Sequence, residues 1–447
     1  MIRKQVYSTL LHSHSSLSAL CFALCLCGLL TLTGCEKEED FRVDNTTPTL
    51  LTHADSVAYF ASYSRLLSHT EGKGYPIVVM ADGFDKTEVS NGTYAKALEK
   101  ALSALFDREP MASLKPYIDV YGVTATSEKS GVGSVKANTV FATYFPDIKN
   151  TTEVRGDSLS IMACAEAALQ QYGYTKEAAR NLVLDHCLMV VLLNSSQYAG
   201  VTYFPQVQKA EKGFPVGNAI SYIPLNATIR IGGTYGFKGD VFNELMQHEA
   251  VGHGIGKLAD EYYYNDAEKY PEYQYATESD IKLFDYLIEN GFCSNVHHHA
   301  DTKGQHAIEE DSWVYPFSID SRYAAENLAW YQGAFTYVND FFRPSYYSIM
   351  NGTGDTRNTT FNAPSRAAIY KTVRHVADPT WTWSFDEFAT FDKLATTTSA
   401  AKATTTSSAK AATSAADSSS DTPPVTITTP QLRSPIIGKF ELSQRRP

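Results

Sequence analysis

One short stretch constrains this chain more than any other: His248-Glu249 is followed by a second histidine, His253, five positions after the first. In a regular helix, residues four apart face the same way, so His-Glu-x-x-His aims two imidazoles at one ion. Five apart, the same arithmetic of about 100° per residue leaves the two rings roughly 140° divergent. A one-residue π-bulge restores the alignment, and such bulges recur at functional sites. Gly252, directly before His253, relaxes the backbone where the bulge is needed. Asp240 stands where an N-cap for this helix would be.

The chain around it reads as alternating strands and helices. "YPIVVMADGF" from Tyr75 is an apolar run closed by Asp82-Gly83, a buried strand and its turn. "TYAKALEKALSALFDREP" places Leu98, Ala101, Leu102, Leu105 and Phe106 at helical spacing before Pro110. "YIDVYGVTAT" predicts a second strand, "SLSIMACAEAALQQYGY" and "KEAARNLVLDHC" two helices, and "LMVVLLNSS" a third strand. "NATIRIGGTYGFKGD" adds one more strand and a glycine-rich loop ahead of the histidine helix. This alternation argues for an α/β fold with a mixed sheet flanked by helices.

Both ends differ from this middle. Arg3 and Lys4 precede an apolar run, Leu20 to Leu32, which has the form of an export signal and is short for a membrane span. It ends in Leu32-Thr33-Gly34-Cys35, which resembles a bacterial lipobox. Residues 1–35 are therefore expected to be a lipoprotein signal peptide, with Cys35 lipidated. The acidic run Glu36 to Asp40 resembles the surface-export signals of bacterial outer-membrane lipoproteins. The expected location is the outer membrane, facing outward. Residues 36–70 are expected to be a tether, 71–393 the folded domain, and 394–447 a disordered tail rich in Ser, Thr and Ala. Beyond Cys35 and the signal, Cys164, Cys187 and Cys293 are widely spaced and match no zinc-ligand pattern. Across 447 residues, 43% are hydrophobic and 12% aromatic, as in a globular protein. The net charge of −11 speaks against a nucleic-acid partner, which requires clustered Lys and Arg.

Three further observations support a metal reading of the histidine pair. The dipeptidyl peptidase III family has a similar His-Glu-x-x-x-His zinc helix with glycine before the second histidine. Gly256 follows His253 by three residues, as in metzincin-type sites. Above all, "HEAVGHGIGKLADEY" resembles the zinc motif of the IgA-peptidase family of metallopeptidases. "IVVMADGF", "LFDREP" and "YIDVYGV" are similar to the opening of that family's domain. "FFRPSYYSIMNG" and "FNAPSRAAIYKTV" are similar to its later stretches. The resemblance spans about residues 71 to 375 and implies a zincin, metzincin-like catalytic domain that hydrolyses peptide bonds of proteins.

That resemblance implies one zinc ion per chain, held by His248 and His253, with Glu249 as proton acceptor from the attacking water. In metzincins the third ligand stands six residues after the second histidine, but Ala259 occupies that position and cannot ligate. Asp260 is the choice, with Glu261 as the competing ligand or the group that orients a histidine. Met350 is expected beneath the metal or as a plain core residue. Arg343 and Tyr262 are candidates for supporting the site or the substrate carbonyl. His297 to His299 point in different directions on any regular backbone and suit a surface loop. Asp185-His186-Cys187 could be read as a Cys-His nucleophile, but neighbours in sequence seldom face each other. The alternative from another class is a lipoprotein that binds glycan or protein on a degenerate peptidase fold. A weaker one is an amidase acting on cell-wall peptides.

Overall fold

The computed structural model describes residues 62–134, 139–146, 153–230, 237–298, 314–352 and 358–394. Cys35, His299 and most of the expected tether and tail lie outside them. The centre is a six-stranded sheet, drawn from β1 (Ser62–Leu67), β2 (Tyr75–Asp82), β3 (Ile118–Thr124), β4 (Leu188–Leu193), β5 (Val201–Tyr203) and β8 (Ala219–Pro224). A small hairpin, β6 (Gln208–Glu211) and β7 (Phe214–Val216), separates β5 from β8. The sheet order is β1-β3-β2-β4-β8-β5. Pairing is parallel across β3, β2, β4 and β8, and antiparallel at both edges. The fold is thus α/β with a mixed sheet, as the sequence pattern predicts.

Parallel strands in such a sheet are covered on both faces, which is why β2 as far as Ala81 and all of β4 are apolar runs, with every residue of both strands buried. Alternate residues serve opposite faces. Ile77, Val79 and Ala81 join Leu188, Val190 and Leu192 in a core shared with helix α1 (Thr93–Leu105). On the sheet α2 (Ser158–Gln171) packs against β1, β3 and β4, and beside it lies α3 (Lys176–Asp185).

The histidine segment forms α4, which starts as an α-helical turn, Phe242–Leu245, and continues as a π-helix, Met246–Ile255. It lies in the α1 layer and packs against β8, β4 and β5. Gly254 permits that approach: a β-carbon there would stand 2.6 Å from Leu188 Cδ1. After α5 (Glu278–Glu289), a three-stranded sheet pairs β11 (His297–His298), β13 (Tyr337–Arg343) and β12 (Tyr331–Ala334). The last large helix in this core, α6 (Ala363–Ala377), is capped by Asn362, whose side chain accepts from the Ser365 amide at 3.1 Å. Its buried Arg366 reaches Asp392, just after α7 (Phe385–Phe391), at 2.8 Å.

Three local expectations change. Residues 228–230 and 237–240 form a hairpin, β9 and β10, so Asp240 ends a strand and Val241 occupies the N-cap position without a side-chain bond. Two strand edges claim the backbone there before the helix begins. β1 lies within the expected tether. Its half-exposed "SYSRLL" carries too little apolar signal to be seen alone, and it is held by antiparallel pairing to β3. His297 and His298 are strand residues: their rings pack on Trp330 and Phe341 at 4.6 and 5.3 Å, and neither belongs to the metal-capable group below.

Candidate metal centre

A π-helix pairs residue i with i+5, so residues five apart come to stand over one another. The expected single bulge is in fact a ten-residue π segment, and it brings the His248 and His253 rings to 4.9 Å between centroids. The chain then reverses. Lys257 adopts a left-handed φ of 52°, its amide closes on the His253 carbonyl at 3.1 Å, and its Nζ donates to Gly254 O at 2.8 Å. This turn returns Asp260 to the histidines.

Asp260 Oδ1 stands 3.1 Å from His248 Nε2 and 3.2 Å from His253 Nε2. Both imidazoles are fixed from behind: Nδ1 of His248 donates to Ile349 O at 2.9 Å and Nδ1 of His253 to Leu258 O at 2.7 Å. Those bonds place the proton on Nδ1 and leave Nε2 of each ring as the atom available to a metal. His253 Nε2 and Asp260 Oδ2 are buried with no hydrogen-bond partner. Buried polar atoms are rarely left so, and a cation shared by these three side chains would satisfy them. Among the described residues, His248, His253 and Asp260 are the group able to hold a metal ion, with ligand atoms within 4.8 Å of one another.

The charges respond accordingly. Burial alone would lower the His248 pKa, but the Asp260 hydrogen bond and charge, with Glu249, raise it to about 9. Burial would likewise raise Asp260, yet the facing imidazoles hold it far below the usual carboxylate range. Glu249 is buried beside this pair, and burial pushes its pKa up against the pull of His253 and His248. A buried carboxyl with its pKa raised in this way has the form of a general base. Its Oε2 accepts from Thr202 Oγ1 at 3.0 Å.

Glu261 faces away from this group. Its carboxylate accepts from Asn295 Nδ2 at 2.9 Å, from Asn362 Nδ2 at 3.0 Å on both oxygens, and from Ser365 Oγ at 3.2 Å. Its amide donates to Met350 O at 2.7 Å. The residue is therefore a tie between the Asp260 loop, the start of α6 and the Ile349–Met350 turn. Met350 is fully buried under the helix and lies against Gly252.

Arg343 is buried with its guanidinium between the Tyr263 and Tyr346 rings, 5.2 and 5.6 Å from their centroids, and it donates to Gln332 O at 2.8 Å and to Gly333 O. Its contacts hold the β12 end. Tyr262 is half-buried, its ring is edge-on to Tyr264 at 5.8 Å, and its carbonyl accepts from Thr336 N at 3.1 Å. Burial, then the Asp260 charge, keeps its phenol protonated. Cys187 is a free thiol that burial pushes up to about 12, so it is no activated nucleophile.

Sequence reading missed Thr202, Asn295, Asn362 and Ser365. A lone Thr or Asn carries no periodic signal. Only the helix-start pattern Asn362-Ala-Pro-Ser365 marks a cap.

Residues 68–280 match the family model described as IgA Peptidase M64, and the span includes His248, Glu249, His253, Asp260, Glu261 and Tyr262. No curated protein is matched by the chain.

Proposed function

From its membership of the IgA peptidase M64 family over residues 68–280, a family of peptide-bond hydrolases, we propose that the chain is a zinc-dependent endopeptidase acting on proteins. The observation that carries this reading is the meeting of Asp260 Oδ1 with Nε2 of His248 and of His253, at 3.1 and 3.2 Å, each ring oriented by a backbone carbonyl. Zinc bound there would act as Lewis acid toward the attacking water and the scissile carbonyl. The remaining steps belong to the chain. Glu249 takes the proton from water and delivers it to the departing amine. Asp260 balances the metal's charge, and the two Nδ1 bonds keep the imidazoles aimed. Tyr262, two residues after Asp260 and protonated, is a donor for the substrate carbonyl oxygen.

The same reading extends to location. Cys35 would carry lipid, the acidic run after it would send the protein outward, and the outer membrane would be its anchor; nucleic acid is not a partner. Radiolabelled palmitate incorporation in wild type and Cys35→Ala tests this, and label retained in Cys35→Ala would end it. A binding protein on a degenerate fold would have little use for an intact His248, Glu249, His253 and Asp260.

The deciding experiment measures metal by plasma mass spectrometry and cleavage of fluorescent casein on full-length protein. About one zinc per chain is expected from a three-ligand site, lost with activity in His253→Ala and Asp260→Ala. Glu249→Gln should keep metal and lose cleavage. Wild type without metal or cleavage would defeat the reading.

A further inference from the structure

Edge strand β5 places a hydroxyl against the residue assigned as base, and the arrangement is more specific than packing requires. Thr202 on β5 and Ser221 on β8 are register partners in the antiparallel pair, and both are fully buried. Their hydroxyls touch at 2.8 Å. Thr202 Oγ1 is 3.0 Å from Glu249 Oε2 and 2.9 Å from the Glu249 carbonyl. Ser221 Oγ is 3.3 Å from that same carbonyl. Two hydroxyl protons thus face two acceptors on one residue. With Thr202 donating to the carboxylate, Ser221 has one proton to give. Its contact with Thr202 Oγ1 at 2.8 Å is shorter than that with the carbonyl at 3.3 Å, so Ser221 donates to Thr202.

We propose that Thr202, braced by Ser221, is a positioning residue for Glu249, fixing the carboxylate at the orientation in which it exchanges protons with the attacking water. This rests on the peptidase reading above. A glutamate has several soft torsions, and a carboxylate free to turn spends little time in reach of its proton. Thr202 supplies a fixed point because its β-branched side chain is stiff and its strand is anchored to the sheet. The neighbouring Gly200 completes the cradle: a β-carbon there would stand 3.2 Å from Glu249 Cγ and Oε1, so the bare backbone lets the carboxylate lie along β5. Neither Thr202 nor Ser221 is within the sequence motif that carries His248 and Glu249. They reach it only through the sheet.

The test compares full-length Thr202→Val, Thr202→Ser and Ser221→Ala with wild type, reading kcat, KM and bound metal on a fluorogenic peptide cut by the wild type. Thr202→Val keeps shape and loses the hydroxyl. It should retain metal and KM while kcat falls about 10-fold, part of the roughly 100-fold or more that a general base contributes. Thr202→Ser should recover most of that loss, and Ser221→Ala should lose kcat several-fold at unchanged KM. Wild-type kcat in metal-loaded Thr202→Val overturns the proposal, as does a Thr202→Ser no better than Thr202→Val, which would assign the loss to packing. If Thr202→Val does not fold, Ser221→Ala decides, and an unchanged kcat there removes the brace. Glu249→Gln separates the two levels. Full cleavage by that variant ends the base reading itself, whereas its inactivity beside a fully active Thr202→Val ends only the positioning role.

Discussion

Gly252 rests its bare α-carbon on the Met350 thioether: a β-carbon at this position would overlap Sδ, with Met350 Cε at 3.1 Å and Phe361 Cε1 at 3.3 Å. Met350 thereby supports the π-helix from below at the residue preceding His253. Gly252→Ala should destabilise by about 1–3 kcal/mol through overpacking, read as a lower melting temperature, with weaker retention of metal against a chelator. An unchanged melting temperature and metal content would remove Met350 from the support of the helix.

Neighbouring acids at 260 and 261 should behave differently on mutation. Asp260→Asn removes the charge that faces both histidines and, on the proposed zinc reading, should abolish metal retention while the fold persists. Glu261→Gln would turn an amide donor toward the Asn362 amide donor, costing about 1–3 kcal/mol of stability. Metal should stay bound in that variant, some 10- to 100-fold more weakly, because the loop holding Asp260 loosens. Complete metal loss in Glu261→Gln with full retention in Asp260→Asn would exchange their roles.

The metal-free protein should carry a pH signature. The His248 pKa is raised from 6.5 to about 9, so the stability it gains from Asp260 is complete below 6.5 and lost as pH rises through about 9. Asp260 is depressed from 3.8, so its contribution is present above that value and lost as pH falls through its much lower folded one. The pair therefore stabilises most between 3.8 and 6.5. In chelator-treated protein, the difference in urea midpoint between wild type and His248→Ala should shrink from about pH 6 to about pH 9.5. Metal competes with the same proton, so apparent metal affinity should climb over that interval. A pH-independent affinity would show that His248 is neutral without metal.

Arg366 links α6 to the segment after α7. It bonds Asp392 and Glu326, at 2.8 and 2.6 Å, and donates to Phe361 O at 2.5 Å. Arg366→Leu would strand the buried Asp392 charge and should cost about 3–5 kcal/mol in chemical denaturation. A loss under about 1 kcal/mol would mean that Asp392 finds water or another partner.

How much of this was legible beforehand differs by residue. His248, Glu249 and His253 announce themselves by type and spacing, and Gly252 showed where the helix had to deviate. It did not show that the deviation runs from Met246 to Ile255. Along that segment lie contacts from residues distant in sequence: Met350 against Gly252, Leu188 against Gly254, and the Thr202 and Ser221 hydroxyls near the Glu249 carbonyl. β2 and β4 were legible because a strand buried on both faces is apolar throughout. β1 was not, because a half-exposed edge strand is defined by its partner.

By itself the sequence determined the chemistry available: two imidazoles, a carboxylate beside the first, and an acidic pair shortly after. Only the tertiary structure decided how the acidic pair divides. Asp260 and Glu261 are adjacent and equally able to ligate, so no local rule separates them. Asn295, Asn362 and Ser365 converge on Glu261 from 34 to 104 residues away and satisfy its oxygens, leaving Asp260 to face the histidines. Burial of a carboxylate is tolerated only with such partners, and partners that distant are brought together by the fold alone.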